Sequence, residues 1–258
     1  MFRKQNNLQW MKWAATGLGF FSFFNVMADT AYAPWYQNIE GSIEIGPNWL
    51  NTNNRTVVIS QNETDNVNVN RINNNVTWKA GVGYYLFDDY LKQRTYLNHL
   101  LFEVNVYQIS GKVKGDVWQY QLTEFSNYNY QSYFKSTRLM LDMKGFLFTY
   151  KSVSPYLILG IGPAWNRLNY DENITGTGVP SNSNLRLGGY TTTRLAGDFG
   201  VGFNIPLTQQ LSMTGEYIYA LLGHAHPANV SSNGAELLRG PNFSFQTQSL
   251  LFGFNVRM

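Results

Sequence analysis

The chain contains no cysteine, which excludes a disulfide framework, thiolate catalysis and sulfur-ligated metal sites. Charge is also scarce: charged residues make up 14% of the sequence, less than the 16% that is aromatic, so the densely charged surface of an ordinary soluble domain is missing. Past the N-terminal segment, no apolar run approaches the roughly 20 residues that a membrane helix needs. The Gly-x-Gly pairs lack a third glycine and a following helix pattern, which removes a nucleotide loop. In place of these features the chain carries strict two-residue alternation, clearest in the last thirteen residues, QTQSLLFGFNVRM.

The N-terminus has a targeting pattern. Arg3, Lys4 and Lys12 precede the apolar run WAATGLGFFSFF, and Val26-Met27-Ala28 supplies small or modest residues where a signal peptidase reads. Residues 1–28 are therefore expected to be a cleaved signal peptide. Ala31-Tyr32-Ala33, followed by Pro34, is the competing cleavage site, and Met11 is an alternative start. Losing Arg3, Lys4 and Lys12 leaves Lys+Arg equal to the 16 Asp+Glu, so the basic balance belongs to the signal and gives no electrostatic basis for nucleic-acid binding.

The body, 29–258, shows eight alternating runs: 39–50, 76–87, 97–110, 136–148, 155–168, 191–205, 211–222 and 246–258. Each is long enough to cross an outer-membrane hydrocarbon layer at a tilt. The connections alternate between long (51–75, 111–135, 169–190, 223–245) and short, as an up-and-down barrel requires, with the long ones expected outside the cell. Within the runs one face is apolar. The other collects Glu40, Glu44, Lys79, Glu103, Arg138, Asp142, Lys144, Arg194, Asp198, Glu216 and Arg257, together with most of the glycines. Small residues beside long charged ones suit a narrow interior, so the charged face is expected to point inward as a lumen network and the apolar face toward lipid. In the fifth run Tyr156 and Ile158 fall on the inward parity; either the lumen wall is partly apolar there or the register slips by one.

On the signal, the eight-run layout, the segments PYLILGIG (155–162) and GVGFN (200–204), and the C-terminal alternation, the chain resembles the small Gram-negative outer-membrane barrels of the OmpA/OmpX, opacity-protein and OmpW-like type. That resemblance implies an all-β fold, an eight-stranded antiparallel up-and-down transmembrane β-barrel in the bacterial outer membrane. It further implies a monomer in contact with outer-membrane lipid and lipopolysaccharide, and recognition by the barrel-assembly machinery through Phe252, Phe254, Val256 and Met258. The family usually ends in Phe; Met258 departs from it.

No cofactor, metal site or enzyme activity is expected. His224-Ala225-His226 has ligand spacing, but the remaining histidine, His99, sits on another run, and a site needs at least a third ligand. The same stretch invites comparison with lipid A deacylase barrels, which use a His and a Ser close together on one strand; here Pro227 and Ala228 take the nearby positions. The connection 111–135 carries Trp118, Tyr120, Phe125, Tyr128, Tyr130, Tyr133 and Phe134. These rings are either a contact surface for a host ligand or the packing of strands that continue above the membrane. The expected function is a structural barrel that supports membrane integrity and presents loops for surface interaction or adhesion. A narrow porin or small apolar-solute channel is the alternative, with a closed, ion-paired lumen favoured over an open one.

Overall fold

The computed structural model describes residues 38–61, 63–73, 75–86, 97–175, 184–231 and 237–258; the expected signal segment lies outside them. Ile39–Arg257 form one compact unit. Its strands are β1 (Ile39–Asn51), β2 (Arg55–Ser60), β3 (Glu63–Asn73), β4 (Asn75–Leu86), β5 (His99–Trp118), β6 (Tyr128–Phe146), β7 (Ser154–Ile174), β8 (Arg186–Pro206), β9 (Leu211–Ala225) and β10 (Phe243–Arg257). All strand pairs are antiparallel, and β1-β4-β5-β6-β7-β8-β9-β10 form a ring closed by β10 on β1. The C-terminal alternation is thus the sealing strand, with Ile43 opposite Phe254, Ile45 opposite Phe252 and Glu40 opposite Arg257. A terminal apolar strand would be an aggregation-prone edge if left open, and ring closure removes that edge.

Eight strands build the ring, and β2 and β3 form a further hairpin within the first long connection. β3 pairs with the upper half of β5, placing Ile72 opposite Val113 and Val67 opposite Val117, while β4 takes the lower half. β1 with β2, and β3 with β4, thereby act as long strands with a break at the membrane edge. The other connections are shorter than the sequence suggests. β5 and β6 stay paired as far as Val117 opposite Tyr128, and β7 and β8 as far as Asp171 opposite Arg186. In each case alternation persists beyond the membrane, and the backbone keeps the ladder.

The outward side chains of the ring's lower part are apolar and exposed, among them Ile43, Val82, Val104, Leu141, Leu159, Ile161, Phe199, Val201 and Phe254. From Leu157 to Trp165 this belt covers about 26 Å of strand, or about 20 Å of depth at a tilt near 40°, most of the ~25 Å apolar band of such barrels. Trp49, Trp78, Trp165, Tyr217 and Tyr219 mark its edge on the long-connection side, where amphipathic rings suit the lipid–water interface. The two tyrosines donate hydrogen bonds to Gln248 at 3.0 Å and Gln246 at 2.7 Å.

Tyr156 and Ile158 are buried inward, and the register Asp142–Gly160–Asp198 runs unbroken across β6, β7 and β8. The lumen wall is therefore partly apolar in the fifth run, and no slip occurs.

Above the belt the pattern inverts. On β6 the outward residues pass from Leu141 and Leu139 to Thr137, Lys135 and Gln131, while the inward ones pass from Lys144, Asp142 and Arg138 to Phe134, Tyr130 and Tyr128. The upper interior is an apolar core of Val57, Val67, Val113, Val117, Leu168, Leu187, Phe243, Phe245 and neighbours. Lipid outside demands apolar-out and water outside demands apolar-in, so one strand satisfies both by changing composition with no change of register.

One seam departs from the ladder. β8 pairs with β9 only from Gly197 opposite Leu221 downward, and among the described residues no backbone pairing joins 191–196 to 222–226. Gly223 adopts φ 76° there, a left-handed conformation that glycine takes without strain. Asn166 on β7 donates 2.7 Å to the Leu222 carbonyl at this seam.

Candidate functional site

The lower interior is organised by two lysines. Lys79 on β4 reaches Glu44 at 2.8 Å, Glu216 at 2.7 Å and Glu103 at 3.9 Å; Lys144 on β6 reaches Glu216 at 2.7 Å and Glu103 at 2.8 Å. Glu103, Lys79, Glu216 and Lys144 thus form a closed four-membered circuit with Glu44 attached. Tyr156 donates to Glu216 at 2.9 Å. Each of these groups sits on a different strand, so the circuit cross-braces the ring through its interior, and burial at 0–1% exposure places it where unpaired charge would be most costly.

A second layer lies toward the long-connection end. Arg138 pairs with Asp198 at 3.3 Å and lies 4.4 Å over the Tyr107 ring. Tyr107 donates 2.6 Å to Asp142, and Asn105 donates to Asp142 at 2.7 Å and to Glu103 at 3.1 Å, linking the two layers. Asp142 and Asp198 flank Gly160, and a Cβ added there would collide with Oδ1 of both. At the opposite end Tyr85 donates 2.7 Å to Glu40, and Arg257 lies 5.0 Å over the Tyr85 ring.

Of the eleven charged residues expected inward, Glu40, Glu44, Lys79, Glu103, Arg138, Asp142, Lys144, Asp198 and Glu216 are buried in the lumen. Arg257 is half-buried at its end. Arg194 differs: it is exposed at the β8–β9 seam, where its stem lies against Gly223. The missing ladder lets the side chain leave the wall although its parity is inward.

The seven aromatics of 111–135 also divide. Tyr128, Tyr130 and Phe134 are buried in the upper core, where Phe134 stacks on Phe245 at 3.9 Å and Tyr130 on Tyr170 at 5.3 Å. These three are packing residues, the second of the two readings open for the rings of this connection, and so no part of a contact surface. Trp118 is half-buried, and Tyr120, Phe125 and Tyr133 are exposed. Leu122, which no aromatic or charge pattern in the sequence singles out, is exposed in the same β5–β6 turn. In that turn Tyr120 and Gln121 hold φ of 53° and 62°, strained values for residues with a Cβ. Asp65 on β3 accepts the Tyr120 N–H at 2.9 Å and fixes the conformation.

Below this turn, outside the membrane band, lies a small acidic group. Burial pushes the Glu172 carboxyl up to about 7, against the lowering effect of the Tyr170 hydroxyl that donates to it at 2.7 Å; the charge of Asp65 adds to the rise. Burial likewise pushes Asp65 up to about 6, with the Tyr120 N–H opposing.

The histidines are dispersed. His226 stacks on Tyr190 at 4.8 Å near the long-connection end and His99 on Phe146 at 4.2 Å at the short-turn end. Among the described residues no group of three or more metal-ligating side chains occurs. Phe252 and Phe254, from the expected assembly signal, project outward and are exposed.

A closed antiparallel ring with a lipid-facing apolar belt and a charged, buried lumen defines a transmembrane β-barrel of the outer-membrane type. No protein-family model and no curated protein sequence matches the chain. Solved structures do match. The outer membrane protease OmpT from Escherichia coli aligns with a TM-score of 0.50 at 8% identity over 89% of this chain and 99% of its own. Neisserial surface protein A aligns at 0.36 and 13% identity, covering 86% and 97%. The outer membrane protein OprG from Pseudomonas aeruginosa aligns at 0.40 and 15%, covering 85% and 95%. At 8% identity the likeness to OmpT concerns the fold alone, that of a bacterial outer-membrane barrel, and it agrees with the apolar belt.

Proposed function

We propose that this protein is a non-conducting, non-enzymatic outer-membrane scaffold that contributes to membrane integrity and presents the β5–β6 apex for contact with molecules outside the cell. The observation that carries the contact role is the apex itself. Tyr120, Leu122 and Phe125 are 54%, 47% and 45% exposed, two of them in edge contact at 6.2 Å, on a turn fixed by Asp65. Apolar side chains held rigidly in water forfeit little entropy when a partner covers them, which is the economy of a recognition surface. The closed state rests on the lumen: Lys79, Glu103 and Asp142 are 0% exposed, whereas charges lining a water-filled path would be wetted.

The test is binding of cells displaying the barrel to host cells and extracellular matrix, comparing the parent with a Y120A/L122A/F125A variant. Loss of three anchor side chains is expected to weaken attachment by about tenfold or more. Unchanged attachment by a variant that still shows heat-modifiable migration removes the contact role. In planar bilayers the parent is expected to be silent, and reproducible discrete steps would establish the narrow-channel reading in its place.

A further inference from the structure

The asparagines of the first long connection take no part in the lumen or the apex. Where β1 gives way to β2 the wall loses its ladder. β1 pairs with β4 as far as Asn48 opposite Asn75, β2 pairs with β3 from Arg55 opposite Val67, and residues 52–54 between them belong to no strand. Side chains stand in for rungs there. Asn54 accepts the Val69 N–H on Oδ1 at 2.8 Å and donates from Nδ2 to Oδ1 of Asn68 at 3.1 Å, which holds the linker against β3 and leaves a groove of two lobes. The larger, about 590 Å³, sets Asn53, Asn70 and Arg71 beside the aliphatic Val69 and Ile72; the smaller, about 260 Å³, has Arg55, Thr56 and Asn66, and Asn54 lines both.

Each lobe holds one guanidinium without an anion. Among the described residues neither Arg55 nor Arg71 has a carboxylate in ion-pair range, and Nε of Arg55 is buried with no hydrogen-bond partner. Arg71 stands opposite Lys114 on β5, and like charges opposed across a ladder disfavour the sheet unless something neutralises them. Asp116, the nearby acid on β5, is taken up by the Asn70 amide. What the groove offers is amides, each with a donor beside an acceptor as neighbouring sugar hydroxyls require, and two forks that each fit a carboxylate with parallel bonds. One cation per lobe, with Asp116 at the border, suits single carboxylates and not the clustered charge of a sulfated chain. Lys114 lies six residues beyond Gln108, the partner of Trp78 at the belt's edge. That is about 20 Å of strand and about 15 Å of height, so the groove stands above the lipid phosphates and its ligand arrives from water.

We propose that this groove binds a soluble oligosaccharide of the uronate type, with carboxylates of neighbouring sugars on Arg55 and Arg71 and hydroxyls on Asn53, Asn66 and Asn70. The assignment is independent of what the β5–β6 apex contacts.

The test titrates the refolded full barrel, in detergent micelles free of lipopolysaccharide, with tetragalacturonate, with its carboxyl-reduced neutral counterpart and with a heparin-derived tetrasaccharide, and follows binding by calorimetry. The parent is expected to bind tetragalacturonate and to bind the neutral form about tenfold more weakly or worse. R55Q/R71Q should lose about tenfold or more in affinity for tetragalacturonate, the loss anticipated for charge-assisted contacts. N53A, which removes an exposed amide, should lose a smaller factor. K151Q, which removes a charge from the opposite end, should behave as the parent. No binding by the parent, equal binding of the neutral form, tighter binding of the sulfated chain, or equal affinity for a tetraglutamate peptide would each overturn the assignment. So would unchanged binding by R55Q/R71Q, an equal loss in K151Q, or displacement of tetragalacturonate by purified lipopolysaccharide. Heat-modifiable migration of every variant confirms that it is folded, and R71Q and N53A alone carry the test if the double variant does not refold.

Discussion

Replacing Lys79 with methionine keeps most of the side-chain length and removes the charge, so it isolates the ionic role of the lumen circuit. Glu216, which loses Lys79 at 2.7 Å, keeps Lys144 at the same distance. Glu103 loses only a 3.9 Å contact and keeps Lys144 at 2.8 Å. Glu44 loses its 2.8 Å partner and, among the described residues, has no other cation in ion-pair range. The cost is accordingly that of one orphaned buried carboxylate, about 3–5 kcal/mol. K144M should cost less, since Glu103 and Glu216 both fall back on Lys79. Adding E44Q to K79M removes the orphan and should recover about 1–3 kcal/mol as a coupling term. The assay is urea unfolding in lipid vesicles, followed by tryptophan fluorescence and by heat-modifiable migration. With a slope of about 1–3 kcal/mol per molar urea, K79M should move the midpoint down by roughly 1 M or more. A K79M midpoint at the parental value, or an E44Q addition that destabilises further, would refute the view that these charges are structural braces.

Two more outcomes follow from particular contacts. Gly160→Ala should destabilise the barrel by about 1–3 kcal/mol, the usual cost of overpacking, because the new methyl meets both Asp142 and Asp198; Gly41→Ala, with open space around it, should fall within about 0.5 kcal/mol of the parent, and equal effects in the two variants would contradict the packing. For pH, Glu172 and Asp65 have folded values of about 7 and about 6 above their unfolded values of 4.5 and 3.8. The folded state then holds more protons across that window, so the stability of the half above the membrane belt should fall as pH rises from about 4 to about 7 and level off above it. Hydrogen exchange of β3 and the upper part of β7, corrected for intrinsic rates, should show this decline, and Glu172→Gln should flatten it.

Much of the ring was legible because lipid imposes one rule on every strand that crosses it. The eight runs, the inward charges on β4, β5, β6 and β9, and the closure of Phe252 and Phe254 on β1 all follow from parity alone. Above the membrane the rule reverses, and the stretch holding Val113, Val117, Tyr128 and Tyr130 reads equally as a connection or as strands that continue, because polar residues alternate with them on what had been the apolar face. The signal was present: the inward parity of β5 continues from Glu103 and Asn105 through Ile109 to Val117 without a break. Which partners a buried charge takes was not legible, since Lys79 meets Glu216 from a strand 137 positions away. Arg194 shows the other limit, for its parity is inward and only the absence of a β8–β9 ladder at that height turns it out.

That seam gives the barrel a direction of weakness. Along its axis the barrel is braced at every level, by ion pairs below and stacked rings above, and loosening it there means breaking many contacts on all eight strands together. Sideways, at 191–196 and 222–226, no backbone rungs join the two edges among the described residues, and Asn166 holds the Leu222 carbonyl in their place. A sideways pull on the wall at that height therefore meets side chains in place of a ladder, much as at the slit of a split tube.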